Sequence, residues 1–381
     1  MNIVICAVPF SQNLGDGAIF ESIKSRYESI STEAKVTPLD IAGRTRYEAS
    51  NSNLDKIRII PKSLRRYAVL SYCVLKYLTT WRTLWQKTLK DADIITIGGG
   101  QLFLDEELNF PIKLYLLSRQ LRKMRAKKNI SFVGVSSTSS KIGRALLKKA
   151  IKNINANSIS VRDIESGKNM KNTLGIADKI SVSPDPALYF EKALQPKKNP
   201  INPNRISICI SNPKSLDAEQ KLGKEFHQRS TEFYSDLISK LFRREFSVSI
   251  FSNGAPEDEQ LKNEIYNINS KKIYRCHPKP LTPGDLKSHI SEADIIIAHR
   301  LHANIIAYSL GVPSIGLNWD SKVKSFFTAV QRLDYYLDDL APTAENIIEL
   351  VERVLKLKPA FLHDTLNKKI DEEISSHLKR N

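Results

Sequence analysis

Three basic side chains fall within four positions in the run Ala298-His299-Arg300-Leu301-His302. An apolar stretch, Asp294–Ala298, precedes the run, and Leu310-Gly311-Val312-Pro313 closes the segment after it. The spacing therefore predicts a strand that hands over to a helix at Arg300. A helix N-terminus offers unpaired N–H groups and a positive field. Arginine adds a permanent charge, and histidine can give or take a proton near neutral pH. Cations packed this closely repel one another unless an anion joins them. The junction thus reads as an anion-handling site, against the plainer reading of a core histidine beside an Arg300–Asp294 pair.

Other segments with chemical potential also follow apolar runs. Ser11-Gln12-Asn13-Leu14-Gly15-Asp16-Gly17 comes after the first one, with glycines for close backbone approach and Asp16 as a helix cap. Gly98-Gly99-Gly100 follows Asp93–Ile97 and suits a ligand lying against backbone, or else a tight turn. Arg162-Asp163 ends another run; its arginine fits a carboxylate or phosphate, or an ion pair with Asp163 or Asp185. Asp185 stands between Pro184 and Pro186 in a rigid turn. Lys322, in Trp319-Asp320-Ser321-Lys322, completes the set as a cleft cation or a solvated helix residue.

The elements that must position these residues alternate. Strands are expected at Asn2–Val8, Asp93–Ile97, Ile130–Val135, Ser158–Val161 and Ile180–Ser183. A second set is expected at Ile206–Ile210, Ser247–Phe251, Asp294–Ala298 and Ser314–Leu317. Short Ile- and Val-rich runs like these suit strands buried on both faces, and helical patterns such as Phe110–Arg125, Lys141–Asn155, Phe226–Arg243 and Ser321–Arg332 lie between them. This predicts an α/β protein of two Rossmann-like domains with parallel sheets, its ligands at the carboxyl ends of strands and its active site in an interdomain cleft. The Pro-, Asn- and Lys-rich stretch 195–204 reads as a linker. The expected domains are 1–194 and 205–341, followed by a helical tail, 342–381, whose charged end from Lys368 is expected to fray.

With 381 residues, 41% of them hydrophobic, the chain can bury two cores. The net charge of +17 favours anionic partners without choosing among them. From Lys56 to Lys90 there are nine Lys/Arg and no acidic residue, interleaved with Tyr67, Leu70, Tyr72, Trp81 and Trp85. Such a basic amphipathic segment either packs on its own domain or rests on an anionic membrane. No apolar run is long enough to span a membrane, and Met1–Val8 reads as a core strand rather than a signal peptide. Cys6, Cys73, Cys209 and Cys276 are scattered without metal-type spacing, as expected of reduced cysteines in a cytoplasmic protein that holds no metal.

Taken in order, Asn13-Leu14-Gly15-Asp16, the glycine triplet at Gly98, Arg162-Asp163, Asp185-Pro186, Arg300-Leu301-His302 and Trp319-Asp320-Ser321-Lys322 resemble the polysaccharide pyruvyl transferase family over roughly residues 1 to 335. The resemblance implies a GT-B-like fold. It also implies transfer of the pyruvyl unit of phosphoenolpyruvate to a sugar of a cell-surface glycan, as a ketal. The first domain would be the acceptor side and the second the phosphoenolpyruvate side. His302, Arg300 and Asp16 would be catalytic, with His302 ahead of His299 as the acid and Asp16 or Asp185 as the base. Asn13, Gly98, Gly99, Gly100, Arg162, Arg300, His302 and Lys322 would bind the donor, which carries roughly −2.5 to −3 charges at neutral pH. No cofactor beyond this donor substrate and no nucleic acid is implied; the acceptor is a glycan or a lipid-linked sugar. Two other readings stay open: a GT-B nucleotide-sugar glycosyltransferase gripping ribose with Glu257, Asp258 or Glu259, and a non-catalytic binder of anionic glycans. The sequence is silent on oligomeric state.

Overall fold

Each of the nine Ile/Val-rich runs expected as strands forms a parallel strand, because a strand apolar on both sides is stable only when covered on both faces. The computed structural model describes residues 1–47, 60–105, 107–135, 139–176, 180–190, 204–212, 224–318, 321–339, 342–357 and 361–379. The expected linker, apart from Asn204, lies outside these, as do Trp319 and Asp320. The chain divides into two compact units. The first holds Met1–Ser11, Asp16–Pro186 and Asp364–Asn381; the second holds Gln12–Gly15 and Ala187–His363.

Among the described residues each unit contains one six-stranded sheet. The first is built from β1 (Asn2–Ala7), β2 (Lys35–Asp40), β3 (Ile94–Phe103), β4 (Lys127–Val135), β5 (Ser158–Val161) and β6 (Ile180–Val182), in the order β2-β1-β3-β4-β5-β6. The second is built from β7 (Arg205–Ile210), β8 (Ser247–Ser252), β9 (Arg275–Cys276), β10 (Ile295–Ala298), β11 (Ser314–Leu317) and β12 (Tyr336–Leu337), in the order β12-β11-β10-β7-β8-β9. Every pairing is parallel. Chain order reverses beside β1 in the first sheet and between β7 and β10 in the second. These switch points are where doubly wound sheets bind ligands. The central strands are sealed: Ile3, Ile5, Ile206, Ile208 and Ile295–Ile297 are fully buried.

Three edge strands, β2, β9 and β12, were not among the expected ones. Pro38 and flanking charges break the apolar pattern of β2, which an edge position tolerates; β9 and β12 are two residues each and carry no periodicity. One boundary also moves. The strand expected to stop at Ile97 continues as β3 through all three glycines to Phe103, with an irregular register against β4.

The charged end does not fray over its described length. Helix His363–Leu378 buries Leu366, Ile370, Ile374 and His377 in the first unit. Tyr27 Oη lies 2.6 Å from both Thr96 Oγ1 and His377 Nδ1, and His377 Nε2 lies 3.0 Å from Ser131 Oγ and 3.2 Å from Glu373 Oε1. Burial pushes the Glu373 carboxyl up, but hydrogen bonding and charge from His377, with help from serines, outweigh it and hold it below its usual range. A depressed carboxylate stabilises the fold above its unfolded pKa and loses that contribution as pH falls through the folded value.

Candidate active site

In the second unit, the carboxyl ends of β7, β8 and β10 present one connected cluster. Arg300 is the N-cap of helix Leu301–Ser309, in extended conformation, as the strand-to-helix junction required. Asn304 Nδ2 donates back to the carbonyls of Ala298 (3.1 Å) and Arg300 (3.0 Å), which closes the turn. The guanidinium makes a two-point pair with Asp258: Nε to Oδ2 and Nη2 to Oδ1, both 2.8 Å. Asp258 is fully buried in the first turn of helix Pro256–Asn269 and also accepts the Asn212 N–H at 2.7 Å. Burial alone would push Arg300 down; the Asp258 carboxylate more than offsets this and keeps it charged.

Asp294, the partner considered for Arg300 from sequence, instead holds Arg205 at the opposite end of the strand (Nη2 to Oδ1, 2.9 Å). Asp258→Ala removes the two-point carboxylate partner of a buried cation and is expected to lower unfolding free energy by about 3–5 kcal/mol in urea titration. The double variant Asp258→Ala/Arg300→Met should recover most of that loss; if it does not, the pair is not what holds the junction.

His302 is buried two residues into the same helix. Its imidazole lies directly against the Cα of Gly15: a Cβ there would fall inside van der Waals distance of Nδ1 and Cγ. Gly15 has ordinary helical backbone, so its lack of a side chain serves this approach and not an unusual φ. Asn13, in the same short segment, accepts a hydrogen bond from Asn253 Nδ2 at 3.0 Å. Gly254, at φ +94°, lets the turn after β8 meet the Gln12 carbonyl; a Cβ there would come within 2.7 Å of it. The Asn253-Gly254 pair after a strand was a legible turn signal that sequence reasoning passed over. Gly15→Ala is expected to displace the His302 ring and lower kcat roughly 10²-fold, with secondary structure by circular dichroism unchanged.

His299 turns the other way. Its Nδ1 faces the Asn318 carbonyl at 3.2 Å, and its ring meets Phe233 and Tyr234. Burial, chiefly, lowers its pKa to about 4, so it is neutral at physiological pH. Lys322 is half-buried in the first turn of helix Ser321–Ala329, after β11.

The first unit gathers the other candidates. Asp16 lies in the first turn of helix Leu14–Ile30 rather than at its cap. Gly98, Gly99 and Gly100 all have positive φ (154°, 80° and 74°) and sit inside β3. Each has a separate steric reason: a Cβ would collide with the Ser131 carbonyl at Gly98, with Ile19 at 2.5 Å at Gly99, and with Asp16 Oδ1 at 2.8 Å at Gly100. Burial raises the Asp16 pKa to about 7, against the opposing pull of Arg44, the Ser11 hydroxyl and Arg162; Asp185 adds to the rise. Arg162 is buried against Gly134 and pairs with Asp163 (3.3 Å) and Asp185 (3.8 Å). Asp163 caps helix Ile164–Leu174 by accepting the Ser166 N–H at 2.6 Å. Asp16, Arg162, Asp185 and the glycine triplet thus belong to the first unit, and Asn13, Arg300, His302 and Lys322 to the second.

This doubly wound pair of sheets is GT-B-like. UDP-GlcNAc 2-epimerase from Methanocaldococcus jannaschii aligns over 99% of this chain and 98% of its own, at 13% identity and a TM-score of 0.56. The same organism's enzyme in complex with UDP-GlcNAc and UDP aligns over 99% and 98%, at 15% identity and a TM-score of 0.57. The S. aureus MnaA–UDP co-structure aligns over 99% and 95%, at 10% identity and a TM-score of 0.57. At such identities the likeness is one of fold. No curated protein matches the sequence. The sequence profile of the polysaccharide pyruvyl transferases matches residues 13–321, and the chain belongs to that family.

Proposed function

We propose that the protein transfers the pyruvyl unit of phosphoenolpyruvate to a sugar of a cell-surface polysaccharide, such as a capsule or exopolysaccharide, or of its precursor. The product is a cyclic ketal, and inorganic phosphate is released. The observation that carries this reading is the junction at β10, where Arg300, fixed by Asp258, and His302, seated on Gly15, share one helix N-terminus. Arg300, the helix N–H groups and Lys322 supply charge for a donor bearing a carboxylate and a phosphate.

His302 gives its proton to the methylene carbon, which leaves the carbon bearing phosphate electrophilic. One sugar hydroxyl adds there and passes its proton to a base. Phosphate departs with its bonding electron pair, and the neighbouring hydroxyl closes the ketal as its own proton leaves. Asp16, poised near neutrality, is the base assigned to the attacking hydroxyl. Phosphoenolpyruvate is the donor substrate, and no further cofactor enters these steps. The work is done in the cytoplasm, at the inner face of the membrane.

Of the carboxylates that a nucleotide-sugar enzyme would use for ribose, Asp258 holds Arg300, and Glu259 accepts from Lys262 and Ser252, each at 2.6 Å. The engagement of these two of the three, Glu257 apart, favours the pyruvyl reading. The test is phosphate release from phosphoenolpyruvate that depends on a glycan acceptor, together with mass spectrometry of the surface glycan from cells with and without the gene. Retention of the pyruvyl mass in cells lacking the gene would sink the reading.

A further inference from the structure

One helical run in the first unit presents two apolar faces, and the described residues cover only one. Helix Lys62–Lys76 continues through a wide π turn, Tyr77–Trp81, into helix Arg82–Leu89. Val69, Cys73, Trp81, Trp85 and Leu89 are buried in the core of the first unit, and Trp81 stacks on Trp85 at 5.7 Å. Residues four apart drift around an α-helix, because four residues exceed one turn of 3.6. The π turn, with more residues per turn, takes up that drift and keeps the tryptophans on the same side as Val69 and Cys73.

Among the described residues the opposite face is uncovered. Leu64, Tyr67, Val74 and Leu78 recur three, seven and four residues apart, the spacing of a single helix stripe, with Leu70 and Leu75 along its edges. All six are exposed, and Tyr67, Leu75 and Leu78 are 69%, 62% and 66% exposed. A solvated helix face has no reason to carry six large apolar side chains. Charge selects the occupant. Arg66, Arg82, Lys87 and Lys90 on the same run are exposed, and the run holds no acidic residue. A cationic helix with an apolar stripe matches an anionic bilayer, which offers negative headgroups over hydrocarbon. A second copy of this chain would bring the same positive charge to the contact. No helix among the described residues is long and apolar enough to cross a membrane.

We infer that this run docks the first unit onto an anionic lipid surface, with Leu64, Tyr67, Leu70, Val74, Leu75 and Leu78 in the headgroup–acyl boundary. Docking of this kind delivers the enzyme to an acceptor sugar carried on a membrane lipid. That consequence rests on the pyruvyl transfer reading; the docking itself does not.

The experiment is co-sedimentation of the full chain with phosphatidylglycerol/phosphatidylcholine vesicles and with pure phosphatidylcholine vesicles. Binding is expected only to the anionic vesicles and should weaken as salt rises. The exposed triple variant Tyr67→Ser/Leu75→Ser/Leu78→Ser should bind about a hundredfold more weakly at an unchanged Tm. Arg66→Gln/Arg82→Gln/Lys87→Gln should lose about as much. Wild-type protein that ignores anionic vesicles at physiological salt overturns the proposal. So does an apolar triple variant that binds as well as wild type, or light scattering that shows the stripe to be a dimer contact instead. Acceptor-dependent phosphate release, assayed with a soluble glycan, reports separately on the chemistry.

Discussion

His302→Gln is expected to lower kcat by about 10²–10⁴, the range a positioned proton donor contributes, while phosphoenolpyruvate affinity stays within about threefold of wild type. The reasoning is steric and electrostatic. His302 is buried at a helix N-terminus, and its ring is held against Gly15. In the proposed reaction Arg300 and the helix N–H groups supply the charge for the donor, and glutamine leaves these in place. His299 cannot substitute, because its Nδ1 is turned to the Asn318 carbonyl and it takes a proton only near pH 4. Single-turnover kinetics and calorimetry of phosphoenolpyruvate binding separate the two quantities. Near-normal turnover by the variant would remove His302 as the acid.

Asp16→Asn is the second large effect, and its signature is a pH profile. A base whose pKa is about 7 makes kcat rise as pH passes through that value and level off above it. The asparagine variant should lose about 10²–10⁴ in kcat, and its profile should be flat across the same range. Stability moves in the opposite direction. The folded pKa lies above the unfolded one, so the Asp16 contribution is fully present below the ordinary carboxyl range and is lost as pH rises through about 7. The variant carries no such penalty and should melt at a higher temperature than wild type at pH 8. A residue that lowers stability while supporting turnover is the expected behaviour of a functional group. If activity and Tm fell together, Asp16 would be a structural carboxylate.

Much of this protein was legible in the chain. Continuous Ile/Val runs such as Ile206–Ile210 and Ile295–Ala298 read as buried parallel strands, because they are too short for a typical helix and rich in β-branched residues. The apolar run Asp294–Ala298 before Arg300 and His302, with the closing Leu310-Gly311-Val312-Pro313 signal after them, places both at a strand-to-helix junction. Asp163 was legible as a cap because a short acidic side chain before a helical pattern has one favourable use. Local rules of this sort act over a few residues and need no knowledge of the partner.

Tertiary structure decided what those rules leave open. Only packing could tell that Asp258 pairs with Arg300 while Asp294 pairs with Arg205, since each partner is distant in sequence or on another strand. It alone showed that the glycine triplet stays inside β3 and that Gly15 is small for the sake of His302. It also assigned Asn13 and Gly15 to the second unit, and among the described residues it left one face of helix Lys62–Lys76 uncovered. Sequence determines which side chains are apolar, charged or small. Which of two equally suitable partners each one meets depends on where the sheets bring strand ends together, and that is a property of the whole fold.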